Sequence, residues 1–159
     1  MRYLLLAVFM FLVACPGAAK YPTIDTRVGA RTVLIALASA VRATADVCLD
    51  EVKTEAANAS EKNDPALLAN AIKFGESCRD TLLPVQHAIL DASDAVDAWT
   101  GAADEVATGK VACAVASFLD QGVLVEKLLA SVKALPPVEY ADAKALTAFS
   151  ATLARAACK

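Results

Sequence analysis

Residues 64–101 read DPALLANAIKFGESCRDTLLPVQHAILDASDAVDAWTG. Within this stretch Leu68, Ala71, Gly75, Cys78, Leu82, Val85, Ile89, Ala92, Val96 and Trp99 follow one another at alternating steps of three and four. That spacing is a heptad stripe, which places one apolar face along a single long helix. Asp64-Pro65 supplies an N-cap with proline at the first helical position, and Gly101 closes the segment. Pro84 lies inside the stripe, where it removes an internal hydrogen bond and forces a kink. Because the register continues through Pro84, the segment is one kinked helix rather than two.

On the N-terminal side, a first helix is expected from about Arg27 to Asn58, with Asp25 and Thr26 as capping candidates. Leu34, Ala38, Val41, Ala45, Cys48 and Val52 share a face at helical spacing. Residues 59–63 read as a polar turn. On the C-terminal side, a third helix spans about 102–135, weakened locally by Gly109 and Gly122 and ended by Pro136-Pro137. A fourth runs from about Glu139 to Cys158 with Leu146, Phe149, Leu153 and Ala156 inward. Short turns between long helices make antiparallel neighbours. The expected fold is all-α, an up-down-up-down four-helix bundle occupying residues 27–159.

Ahead of the bundle, Met1-Arg2-Tyr3 precedes a run from Leu4 to Ala14 that is almost wholly apolar. The run is shorter than the roughly 20 residues needed to cross a membrane, so it has the layout of an export signal. Its last residues, Leu12-Val13-Ala14-Cys15, resemble the lipobox of bacterial lipoproteins. The resemblance covers four residues and their place at the end of an apolar run. It implies a signal peptide over residues 1–14, lipidation of Cys15 as the first mature residue, and a tether over 15–26. More than one acyl chain is needed for firm anchoring, at about 0.8 kcal/mol per buried methylene. Pro16 stands where an aspartate would retain such a protein at the inner membrane, which points to the outer membrane of a cell that has one. The alternative is ordinary cleavage after Ala19, with Gly17 and Ala19 as the small residues, giving a periplasmic or secreted protein without lipid.

The chain has 159 residues, enough for one domain, with 15 basic and 18 acidic residues for a net charge of −3. Loss of Arg2 with the leader makes it −4. No basic patch exists, which argues against nucleic acid as a partner. Beyond Cys15 remain Cys48, Cys78, Cys113 and Cys158, an even set that implies a disulfide framework with three possible connectivities. The bundle selects among them. Cys48 lies about twelve residues before the first turn and Cys78 about thirteen after it, so at 1.5 Å per residue they share a height. Cys113 and Cys158 match near the opposite end. The pairing is therefore Cys48–Cys78 and Cys113–Cys158, each loop contributing roughly 3–4 kcal/mol in the chain-entropy model.

Chemistry-bearing residues are sparse. His87 is the single histidine and falls on the outer face with Lys73, Asp80 and Asp94; Asp91, one turn on, is its expected surface contact. No serine or threonine is placed by the sequence to form a nucleophile–histidine dyad. Asp91, Asp94, Asp97, Asp104 and Glu105 gather around Trp99-Thr100-Gly101, but their spacing is not that of a calcium loop, and a solvated surface accounts for them. Trp99 reads as a core plug. No Cys-x-x-Cys occurs, and no Glu-x-x-His or methionine follows Cys15, so neither a zinc site nor a haem or di-iron core is indicated. Asn58-Ala59-Ser60 would be a glycosylation acceptor only in a eukaryotic secretory pathway.

These observations lead to a non-enzymatic envelope lipoprotein without cofactor or metal, encoded by the cell or by a resident phage. Its membrane contact is the lipid on Cys15, and its bundle either binds another envelope protein or serves as a tethered structural spacer. The second reading is a secreted four-helix inhibitor. The plant inhibitors of invertase and pectin methylesterase are similar in outline, with a signal, four helices and two disulfides. This chain lacks their closely spaced N-terminal cysteine pair.

Overall fold

Asp64 closes one helix and starts the next. Its backbone N–H donates to the Ala59 carbonyl at 2.9 Å, while its carboxylate accepts from the Ala66 and Leu67 amides at 2.9 and 3.3 Å. Asn63, with φ 49°, donates to the Ser60 carbonyl and sits in the left-handed region that such a helix end requires. One acid thus satisfies orphan groups on both sides of a two-residue turn.

The protein, described from a computed structural model, is defined at residues 23–99, 105–148, 154, 156 and 158, with side chains from Arg27 onward. Four helices follow in order: α1 Thr23–Glu61, α2 Pro65–Asp97, α3 Glu105–Ser131 and α4 Val138–Ala148, with Ala154 and Ala156 also helical. α1 packs along α2, α2 along α3 and α1 along α4, while α1 and α3 touch only slightly across the diagonal. This is the antiparallel up-down-up-down order. Both disulfides join the expected partners, Cys48 to Cys78 with Cα atoms 6.3 Å apart and Cys113 to Cys158 at 4.8 Å.

The stripe of α2 is the best match between pattern and packing. Ala71, Cys78, Leu82, Val85, Ile89, Ala92 and Val96 are all buried, and Trp99 is 2% exposed at its end. Two members depart: Leu68 is 45% exposed in the first turn, and Gly75 is half-buried. The helix is continuous through Pro84, which faces solvent.

Several expected boundaries and faces differ. α1 begins at Thr23, so Asp25 and Thr26 are inside it, and it takes in four residues assigned to the tether. It also runs through Ala59, which is 4% exposed, to Glu61. Its core face is Ala30, Val33, Leu34, Leu37, Ala40, Thr44 and Cys48, whereas Ala38 and Ala45 are exposed. α3 ends at Ser131 rather than Leu135 because Lys133, at φ 60°, turns the chain: Lys133 and Ala134 donate to the carbonyls of Ala130 and Leu129. The inward residues of α4 are Tyr140, Ala143 and Thr147, joined by Ala154; Leu146 is half-buried and Ala156 is exposed. Phe149, Leu153 and the closing Gly101 lie outside the described residues.

An 18-residue window of α1 has mean hydropathy 1.7, so by length and composition alone this helix is apolar enough to cross a membrane. In the bundle the same composition places Leu37 and Ala40, both fully buried, in the common core.

Candidate functional site

A groove of about 380 Å³ opens between α1 and α2, and every residue lining it belongs to those two helices. Val41, Leu49 and Val52 form one wall and Gly75, Leu82 and Leu83 the other, with Cys48–Cys78 between them. Gly75 makes the close approach there: a Cβ would lie 3.2 Å from Val52 Cγ2. Leu49 and Leu83 remain 51% and 39% exposed on the rim. Gln86 and Arg79 are the polar lining, and the Arg79 guanidinium is engaged by its neighbour, Nε donating to Asp80 Oδ1 at 3.0 Å. Among the described residues, no carboxylate, imidazole or hydroxyl lines the groove. Its chemistry is burial of apolar surface, at about 25 cal/mol per Å².

The stripe expected on α1 is partly legible in this groove. Val41, Ala45, Cys48 and Val52 line it, so the second half of that stripe runs along α2, with Cys48 buried and Val41 packed against the core.

His87 and Asp91 are both exposed, and the expected contact between them is not formed. Asp80 turns to Arg79 instead. The acidic stretch is divided among separate tasks. Asp97 accepts from Arg31 Nη2 at 2.6 Å, and its carbonyl accepts from Arg27 Nη2 at 3.0 Å, so α1 is tied to the end of α2. The Asp94 carbonyl caps α2 by accepting from Ala98 N–H. Glu105 stands in the first turn of α3, where the helix dipole favours a negative charge. Asp104 is outside the described residues. Among the described residues, no three of His, Cys, Asp and Glu gather into a group that would hold a metal. Trp99 is the core plug that its place in the stripe suggested. Asn58 and Ser60 are exposed in the last turn of α1.

Sequence reasoning missed the junction of α3 and α4. The Tyr140 hydroxyl donates to the Gly122 carbonyl at 2.9 Å, and its ring lies against Phe118 with centroids 5.4 Å apart. Burial, then the nearby Glu126 carboxylate, pushes the Tyr140 hydroxyl up to about 12. Lys144 pairs with Glu126 beside it. Two buried threonines were also missed. Thr44 and Thr147 return their hydroxyls to the carbonyls of Ala40 and Ala143, each at 2.8 Å, which lets a polar residue sit in the core. Gly122 was the available signal, since a glycine inside a helix invites close approach of another group.

Cys15 and the residues preceding it lie outside the described part of the chain. No protein-family model, curated protein or solved structure matches this chain.

Proposed function

We propose that the chain is a non-enzymatic lipoprotein of a bacterial cell envelope, held by acyl chains on Cys15 and offering its helical bundle to another envelope protein. The observation that carries this reading is Leu12-Val13-Ala14-Cys15 at the end of an apolar run, followed by a bundle with two disulfides. Export and thiol oxidation agree, because disulfides persist in oxidising compartments outside the cytoplasm. Seven residues, and so eight Cα steps, separate Cys15 from Thr23, and α1 starts no more than about 29 Å from the anchor. The groove between α1 and α2 is the favoured docking face. A helix carrying apolar residues at steps of three and four would fill it without needing a charged anchor.

Labelling with radioactive palmitate tests the anchor. Label is expected on the wild type and absent from Cys15→Ala; an unlabelled wild type, or label retained by the variant, sinks it. Crosslinking and affinity capture in native envelopes tests the face. A captured protein is expected to be lost from a Leu49→Asp/Leu83→Asp double variant that remains folded, and retention overturns the groove as the docking face. Gly17 and Ala19 favour the second reading, a secreted inhibitor-like bundle. That form would lack acyl chains and begin at Lys20.

A further inference from the structure

The two disulfides stand in opposite surroundings. Cys48 and Cys78 are each 4% exposed. Cys158 is exposed and Cys113 half-buried. Thiol–disulfide exchange needs a thiolate to reach one sulfur in line with the bond. Among the described residues, Cys48–Cys78 is approached through the groove, whose apolar walls disfavour both an incoming thiolate and the thiolate that would leave. At Cys158 the sulfur belongs to an exposed residue. We propose that Cys158 is a thiol-exchange site, at which a dithiol reductant opens Cys113–Cys158 while Cys48–Cys78 stays closed.

The exchange balances with the reductant named. One thiolate of the dithiol attacks Cys158 Sγ, the S–S bond breaks, and its electron pair leaves on Cys113 Sγ, which takes up a proton. The second thiol of the reductant then displaces Cys158 as a thiolate, which is protonated in turn. The reductant departs as a disulfide, and two electrons have passed to the protein. The bundle keeps its remaining fastenings, Cys48–Cys78 between α1 and α2 and the Tyr140–Gly122 hydrogen bond between α3 and α4. The inference does not depend on lipid at Cys15.

The test uses the exported full chain, treated in its folded state with dithiothreitol for graded times, alkylated with iodoacetamide and read by peptide mass. Cys113 and Cys158 are expected to be alkylated first. Cys48 and Cys78 should follow about tenfold more slowly or beyond, each tenfold corresponding to about 1.4 kcal/mol of local opening. In concentrated guanidinium the difference should vanish, because burial is its cause. Glutathione used as a monothiol probe should leave its adduct on Cys158 and a free thiol on Cys113. Equal rates in the folded state, a difference that persists in guanidinium, or an adduct on Cys113 would each overturn the proposal.

Discussion

The Tyr140 hydroxyl donates to the Gly122 carbonyl at 2.9 Å, and a Cβ on Gly122 would stand 2.9 Å from the Tyr140 hydroxyl oxygen. α3 and α4 are locked at a contact that only glycine permits. Gly122→Ala should therefore destabilise the protein by about 1–3 kcal/mol, through displaced packing and a strained hydrogen bond. Alanine is the better helix former by about 0.8–1 kcal/mol, so intrinsic propensity predicts the opposite sign. Gly109, with nothing within 4 Å of its Cβ position, is the control. Gly109→Ala should stabilise by about 0.4–1 kcal/mol. Urea denaturation of both variants checks the pair, and midpoints moving in the same direction would refute the lock.

The same tyrosine makes stability sensitive to alkaline pH. In the folded chain its hydroxyl holds a proton up to about 12, against an ordinary value of 10.0. Between those values the unfolded chain has lost a proton that the folded one keeps. The contribution is complete below pH 10.0 and shrinks as pH rises toward about 12. Tyr140→Phe should be less stable at neutral pH by about 1 kcal/mol, the net worth of one hydrogen bond. Its stability should nevertheless fall less steeply through the alkaline range. Unfolding measured across that range decides the matter, and a wild-type slope no steeper than the variant's would count against the buried hydroxyl.

Lys133 ends α3 in the left-handed region at φ 60°, where a side chain is disfavoured. Lys133→Gly should stabilise by up to about 1 kcal/mol, and Lys133→Val should destabilise because a β-branched residue tolerates this conformation least. Asn63 occupies the same kind of position at φ 49° but suits it, so Asn63→Gly should change stability by less than about 0.5 kcal/mol. Thermal melts of the three variants test whether these turns behave as the backbone angles require.

Where local chemistry decided the structure, the sequence was readable. Asp64-Pro65 marked a helix start because a carboxylate cap and a proline at the first position act within one turn. The α2 stripe was readable because α2 lies between α1 and α3, and large residues such as Leu82, Val85 and Ile89 mark its buried side. α1 was harder. Ala38 and Ala40 are chemically identical, so composition cannot tell which one enters the core, and Thr44 is buried although its residue type points outward. The Tyr140–Gly122 contact depends on how α4 lies against α3, which no local signal records. The groove was hidden for a similar reason. Residues at helical spacing along α1 are apolar whether another helix covers them or not, and the packing is what shows Leu49 half exposed at the groove.

The register of α1 gives the last prediction. Ala40 is fully buried, and its carbonyl accepts the Thr44 hydroxyl, while Ala38, two residues earlier, is exposed. A leucine at residue 40 must push neighbouring side chains off their rotamers, so Ala40→Leu should cost about 1–3 kcal/mol. Ala38→Leu adds its methyl groups to solvent and should stay within about 0.5 kcal/mol of wild type. If the face of α1 were the stripe through Ala38 and Ala45, the two costs would exchange places. Denaturant midpoints for the two variants separate these registers, and Ala45→Leu, on the exposed side near the groove, should behave as Ala38→Leu does. The small side chain at residue 40 thus acts as a spacer, setting how closely α1 approaches the rest of the core.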